Sequence, residues 1–156
     1  MELTRTQQAT KEAIVNHLLK EKQDSLDNIM RMQRLDNGEA REEQEHHTNM
    51  FEDGKIDQAR NRITARSSVA DALVNDIRIL KGIDSIEPTE EIQLGDVIHT
   101  DHGKFFVAVA SEPFTIEGMD YQGISTESPL FKALLGKHNG DRGSVNDNEY
   151  TLKKSF

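Results

Sequence analysis

The chain has 156 residues, no cysteine, no tryptophan and a formal net charge of −9. The missing thiols exclude disulfides, zinc–thiolate sites and cysteine nucleophiles. The acid excess argues against autonomous binding along a nucleic-acid backbone, which needs clustered Lys and Arg. With 30% charged and 35% hydrophobic residues the sequence is too polar for one large core, and it suits a long helical element joined to a compact piece. The opening MELTRTQQATKEA holds no apolar stretch of signal-peptide type, and no apolar run approaches a membrane span. A cytoplasmic location and no membrane partner are the default expectations.

A helix is predicted from Arg5, because Thr4 and Gln7 have capping-box spacing. Ile14, Leu18, Leu19, Leu26, Ile29 and Met30 then recur at helical spacing as a narrow stripe among polar residues. A narrow stripe buries one seam against a partner helix. Leu35-Asp36-Asn37-Gly38 reads as a turn that ends the helix. A second helix is predicted over Lys55–Lys81. Ile56, Ile63, Ala70 and Ile77 recur every seven residues, with Ala59, Leu73 and Leu80 at the other seam position and Arg66 interrupting it. Each pattern runs about 27 residues, roughly 40 Å at 1.5 Å per residue. Two helices of equal length can fold back as an antiparallel coiled-coil pair.

The segment from Asp36 to Asp57 is then the distal tip. It carries eight acids against two bases, while the rest of residues 1–84 carries eight acids against eleven bases. Acidity is therefore concentrated at the tip. Glu42-Glu43-Gln44-Glu45 and the pair Glu42/His46, with His47 beside it, read as solvated surface rather than as metal ligands.

Residues 85–91, with Pro88, form a linker, and from Ile92 the period becomes that of strands. Strands are predicted at Ile92–Thr100, Lys104–Ala110, Phe114–Glu117, Tyr121–Ser125 and Glu149–Lys154. A short helix follows Ser128 as N-cap, with Pro129 at its first position and Gly136 as C-cap. The same capping role accounts for Ser128 better than a nucleophile does. The fold class is α+β: an N-terminal antiparallel helical hairpin over 1–84, a linker at 85–91, and a small antiparallel sheet domain with one short helix over 92–156.

The run Gly123-Ile124-Ser125-Thr126-Glu127-Ser128-Pro129-Leu130-Phe131-Lys132-Ala133-Leu134-Leu135-Gly136-Lys137, followed by Gly140-Asp141, resembles the C-terminal signature of the Gre transcription elongation factors. Leu94-Gly95-Asp96-Val97 is similar to the family's opening strand. The resemblance covers essentially the whole C-terminal domain and implies an FKBP-like domain there, behind a coiled coil. It further implies an RNA polymerase partner, entry of the coiled coil into the secondary channel, and tip carboxylates that help hold a second magnesium ion for cleavage of backtracked transcripts. The chain itself would be an accessory rather than an enzyme, with no cofactor of its own. The family's tip pattern G-D-x-x-E-N falls here on Glu52-Asp53-Gly54-Lys55-Ile56-Asp57-Gln58, with Asp53 and Gly54 in reversed order and Glu39 to Met50 inserted. Aligned without a gap, Asp57 stands at the family's Glu. Asp53 and Asp57 are the candidate magnesium-holding and accessory catalytic residues, with Glu52 beside them. Two other readings stand next to this one. One is a secondary-channel regulator that does not stimulate cleavage. The other is a peptidyl-prolyl isomerase, disfavoured because fold alone does not set function and the domain lacks a Trp and most of the aromatics such a site needs.

Overall fold

The first helix begins where the capping box predicts. The backbone N of Gln7 donates to Thr4 Oγ1 at 3.1 Å, and the backbone N of Thr4 donates to Gln7 Oε1 at 2.9 Å, satisfying two amides that the first turn leaves open. The structure, a computed structural model, describes residues 2–46 and 50–156, with side chains for all of these except 37–46, 50–56 and 59. Helix α1 spans Arg5–His46 and helix α2 spans Met50–Lys81. Both run further than their patterns predict. The turn expected at Leu35–Gly38 does not form, and Lys55 is not the start of α2. Asp36 explains the first difference. It is only 7% exposed and is held by Arg66 Nη1, with Arg62 Nε at 3.5 Å. Placing Gly38 inside a helix costs about 1 kcal/mol relative to Ala, and a charge-assisted hydrogen bond of this kind contributes about 1.5–3 kcal/mol.

Two compact units divide the chain: residues 1–19 with 78–156, and residues 20–77. The segment 85–91, expected as a linker between 1–84 and 92–156, belongs to the first unit.

Within residues 20–77, contacts pair the helices in reverse order. Lys22 Nζ lies 3.3 Å from Asp76 Oδ2, Gln33 Nε2 donates to Ser67 Oγ at 2.9 Å, and Arg66 reaches both Met32 O and Asp36. Beside Ser67 and Asp76, the covered positions follow alternating steps of three and four. They are Lys22, Leu26, Ile29, Gln33 and Asp36 on α1, and Ile63, Arg66, Ala70, Leu73 and Ile77 on α2. That spacing keeps one stripe of a helix facing its neighbour. Arg66 therefore fills its seam slot as the partner of Asp36. Met30, read from the sequence as part of the apolar stripe, is 48% exposed. The side chains of Ile56 and Ala59 lie outside the described residues.

The first unit is built on six strands: β1 Val97–Thr100, β2 Gly103–Ala108, β3 Phe114–Ile116, β4 Met119–Ser125, β5 Arg142–Val145 and β6 Asn148–Ser155, with helix α3 at Pro129–Leu134. Their order across the sheet is β3-β4-β2-β1-β6-β5. The sheet is mixed, not antiparallel as predicted, because β2 and β4 pair in parallel with Phe105 opposite Gln122 and Ala108 opposite Ser125. Hairpin β3–β4 turns through Glu117 at φ 51° and Gly118 at φ 79°, two positive values of the kind a tight two-residue hairpin turn requires. Strand β3 reverses the chain before β4 reverses it again, so β4 takes the direction of β2. Strand β1 is shorter than predicted. Ile92 is buried but precedes it, and Gly95, at φ 94°, turns the chain into it.

Alternation along the strands divides the core between two faces. Val97, Phe106, Phe114, Tyr121 and Phe156 pack with Ile14, Val15 and Leu18 of α1, with Leu80 near the end of α2 and with Ile83 just after it. Ile98, Val107, Ile124 and Leu152 pack under Leu130, Phe131 and Leu134 of α3. Each fully buried side chain of this size contributes about 1.5–3 kcal/mol. Among the described residues no helix is long and apolar enough to cross a membrane.

Candidate functional site

Three places carry the residues that sequence and structure single out. The first is the start of α2. Glu52, Asp53 and Asp57 all lie on this helix, so positions 53 and 57 stand one helical turn apart. The side chains of Glu52 and Asp53 lie outside the described residues. Asp57 is exposed and makes no hydrogen bond or ion pair with any described residue. The inserted acids Glu39, Glu42, Glu43 and Glu45, together with His46 and His47, also lie outside the described side chains.

The second place is the run from Gly123 to Asp141, where each distinctive residue has a local task. A Cβ on Gly123 would come within 2.4 Å of Val109 O and 2.7 Å of Ser111 Oγ, so only glycine fits between β4 and the loop after β2. Ser111 Oγ in turn accepts from the backbone N of Gly123 at 2.9 Å. Ser128 Oγ accepts from the backbone N of Leu130 at 3.2 Å and caps α3, which is the capping role predicted for it. Pro129 opens that helix; its C-cap is Leu135, in extended backbone, rather than Gly136 as predicted, and Gly136, at φ 76°, stands one residue beyond. Asp141 Oδ2 accepts from the backbone N of His138 at 2.9 Å and closes the turn before β5. Leu135 stays 51% exposed next to buried Leu134.

The third place escaped the sequence reading. Lys11 Nζ donates to Asp96 Oδ1 at 3.5 Å, with side chains only 14% and 4% exposed. Asp96 Oδ2 also accepts from the backbone N of Gln93 at 3.1 Å, which fixes the turn into β1. Burial pushes the Asp96 carboxyl above its usual range, against the pull of Lys11 and the Gln93 hydrogen bond. Burial likewise lowers the Lys11 ammonium, against the attraction of Asp96. A signal for this pair is present in the sequence. Lys11 sits on the same stripe as Ile14, Val15 and Leu18, where a charge needs a buried partner.

On the sheet, His99 stands opposite Lys104 on β2 and Lys154 on β6. Burial and the two flanking ammonium groups hold its imidazole below the usual 6.5. Its Nε2 is buried without a hydrogen-bond partner among the described residues, and its ring meets Phe156 edge-on at 5.7 Å.

Neither the models of known protein families nor the curated proteins contain a match to this chain.

Proposed function

We propose that this chain is a Gre-type transcription factor, in which α1 and α2 form an antiparallel coiled-coil hairpin and the mixed sheet with α3 forms an FKBP-like domain. On this reading it acts in the cytoplasm, binds RNA polymerase and inserts the hairpin into the secondary channel. The observation that carries the reading is the run Gly123–Asp141, whose spacing resembles the Gre signature and whose Gly123, Ser128, Pro129 and Gly136 all have specific backbone tasks. The reverse-order pairing of two long helices supports the same reading.

The chemistry assigned to the tip is accessory. Asp53 and Asp57, with Glu52 adjacent, would supply negative charge to a magnesium ion shared with the polymerase active site, and the polymerase would hydrolyse its own transcript. Magnesium is commonly held by one or two carboxylates with phosphates and water completing the shell. A second ion in such a site stabilises the attacking oxygen in phosphodiester hydrolysis.

The test is transcript cleavage on stalled elongation complexes. The chain should accelerate cleavage, and D53N/D57N should abolish the acceleration while leaving polymerase binding nearly intact, because Asn keeps an oxygen but not the charge. A second reading is favoured by one sequence feature, the reversed order of Asp53 and Gly54 relative to the family's tip. Under it, the chain occupies the channel without stimulating cleavage. That outcome would appear as competition with an authentic cleavage factor and no acceleration by the wild type. Absence of polymerase binding would overturn both.

A further inference from the structure

The first compact unit contains a cleft that the transcription reading leaves unused. One wall is the first turns of α1, through Gln8, Lys11, Glu12 and Val15, which recur on one helical stripe. The other wall is formed by residues between 83 and 96. The cavity measures about 380 Å³, within the range of small-ligand and side-chain pockets. Leu3, Val15, Ile83, Ile86, Pro88 and Leu94 supply its apolar lining.

Four charged side chains line the same space. Lys11 and Asp96 are paired and neutralise each other. Glu12 and Asp84 remain. Both are exposed, and neither makes a hydrogen bond or ion pair with any described residue. Apolar and polar groups therefore share the walls about equally, and the charged ones leave an excess of two negative charges. An anionic ligand would meet three carboxylates against one ammonium that is already engaged. A free hydrophilic cation would leave the apolar wall uncovered. The complement of this surface is an apolar body with a positive charge attached.

We propose that this cleft docks a peptide segment of a partner protein, in which a large aliphatic side chain fills the cavity and a neighbouring Arg or Lys pairs with Glu12 and Asp84. Burial of the aliphatic group provides the affinity. The two carboxylates select against acidic segments, since like charges brought together at an interface are costly. Arg suits the role because its fork matches carboxylate geometry while its stem covers apolar surface. The inference stands apart from the transcription reading, and either can fail without the other.

The experiment uses the full-length ¹⁵N-labelled chain and three probes: acetyl-Arg-Leu-Leu-Arg-amide, acetyl-Glu-Leu-Leu-Glu-amide and agmatine. The basic peptide should shift the amides of Gln8, Leu94, Gly95 and Asp96 saturably. The acidic peptide should bind roughly tenfold more weakly or not at all. Agmatine, which has the guanidinium without the aliphatic group, should give no saturable shift at the same concentration. E12Q/D84N, two conservative changes at exposed positions, should weaken the basic peptide roughly fivefold while leaving amides away from the cleft in place. Q8W, which places a bulky ring at the α1 wall, should block the same shifts. Equal binding of the two peptides, shifts that map away from the cleft, or unchanged affinity in E12Q/D84N would overturn the proposal. Agmatine binding as tightly as the basic peptide would overturn the peptide assignment in favour of a small-amine site.

Discussion

Lys11 and Asp96 allow a direct measurement of how burial and attraction balance in this fold. At the observed 3.5 Å the two charges attract by roughly 5 kcal/mol at an effective dielectric of about 20. Withdrawing each ion from water costs several kcal/mol, and for both groups burial is the dominant influence on the ionisation equilibrium. The net worth of the pair is therefore near zero, although each member depends on the other. Lys11→Met keeps the aliphatic stem, and Asp96→Asn keeps an oxygen that can accept from the backbone N of Gln93. Lys11→Met leaves Asp96, 4% exposed, without its counterion and should cost about 3 kcal/mol. Asp96→Asn should cost less, about 2 kcal/mol, because Lys11 is 14% exposed and its flexible stem can carry the ammonium toward water. The double variant removes both desolvation terms and should lie between wild-type stability and about 2 kcal/mol above it. Urea unfolding followed by circular dichroism, with amide exchange to locate the affected unit, gives the coupling energy. If the double variant loses the sum of the two single losses, the ions are uncoupled and the reasoning from burial fails.

Three further predictions concern other parts of the molecule. Because Asp96 has a raised folded-state pKa, its contribution to stability is fully present below its unfolded value of 3.8 and is lost as pH rises through the folded value; the stability difference between wild type and Asp96→Asn should shift in favour of the wild type on acidification across that window. His99 has the opposite sign: its depressed folded-state pKa gives stability above pH 6.5 that is lost as pH falls through the folded value, and His99→Phe should remove that acid-side loss in a pH series of urea midpoints. Gly123→Ala should destabilise the sheet by about 3 kcal/mol, since the new methyl meets Val109 O at 2.4 Å, and amide exchange should quicken in β2 and β4 while residues 20–77 keep their protection.

Features set by neighbouring residues were legible in the sequence. The Thr4/Gln7 capping box and the Ser128-Pro129 start of α3 each rest on contacts within a few residues, and each stands where it was predicted. Pairings that join distant segments were not. The parallel β2–β4 contact depends on the path of the whole chain between them. Strand β5 contains Gly143, a weak strand residue, placed where a Cβ would come within 2.7 Å of Ala133 O.

Lys11 on an apolar stripe and Arg66 at a seam position have one explanation. Each pairs with a buried acid far away in sequence, Lys11 with Asp96 and Arg66 with Asp36. A charge on a buried stripe cannot remain without a partner, because an uncompensated buried ion costs several kcal/mol. The partner could have been sought by register. If α1 and α2 pair in reverse order with Lys22 level with Asp76, then fourteen residues further along α1 is Asp36 and fourteen residues back along α2 is Arg62, with Arg66 one turn away. Asp36 is then the acid that Arg66 requires. The same step removes the turn at Leu35–Gly38, since an aspartate anchored to the opposite helix carries α1 past the glycine that would otherwise have ended it.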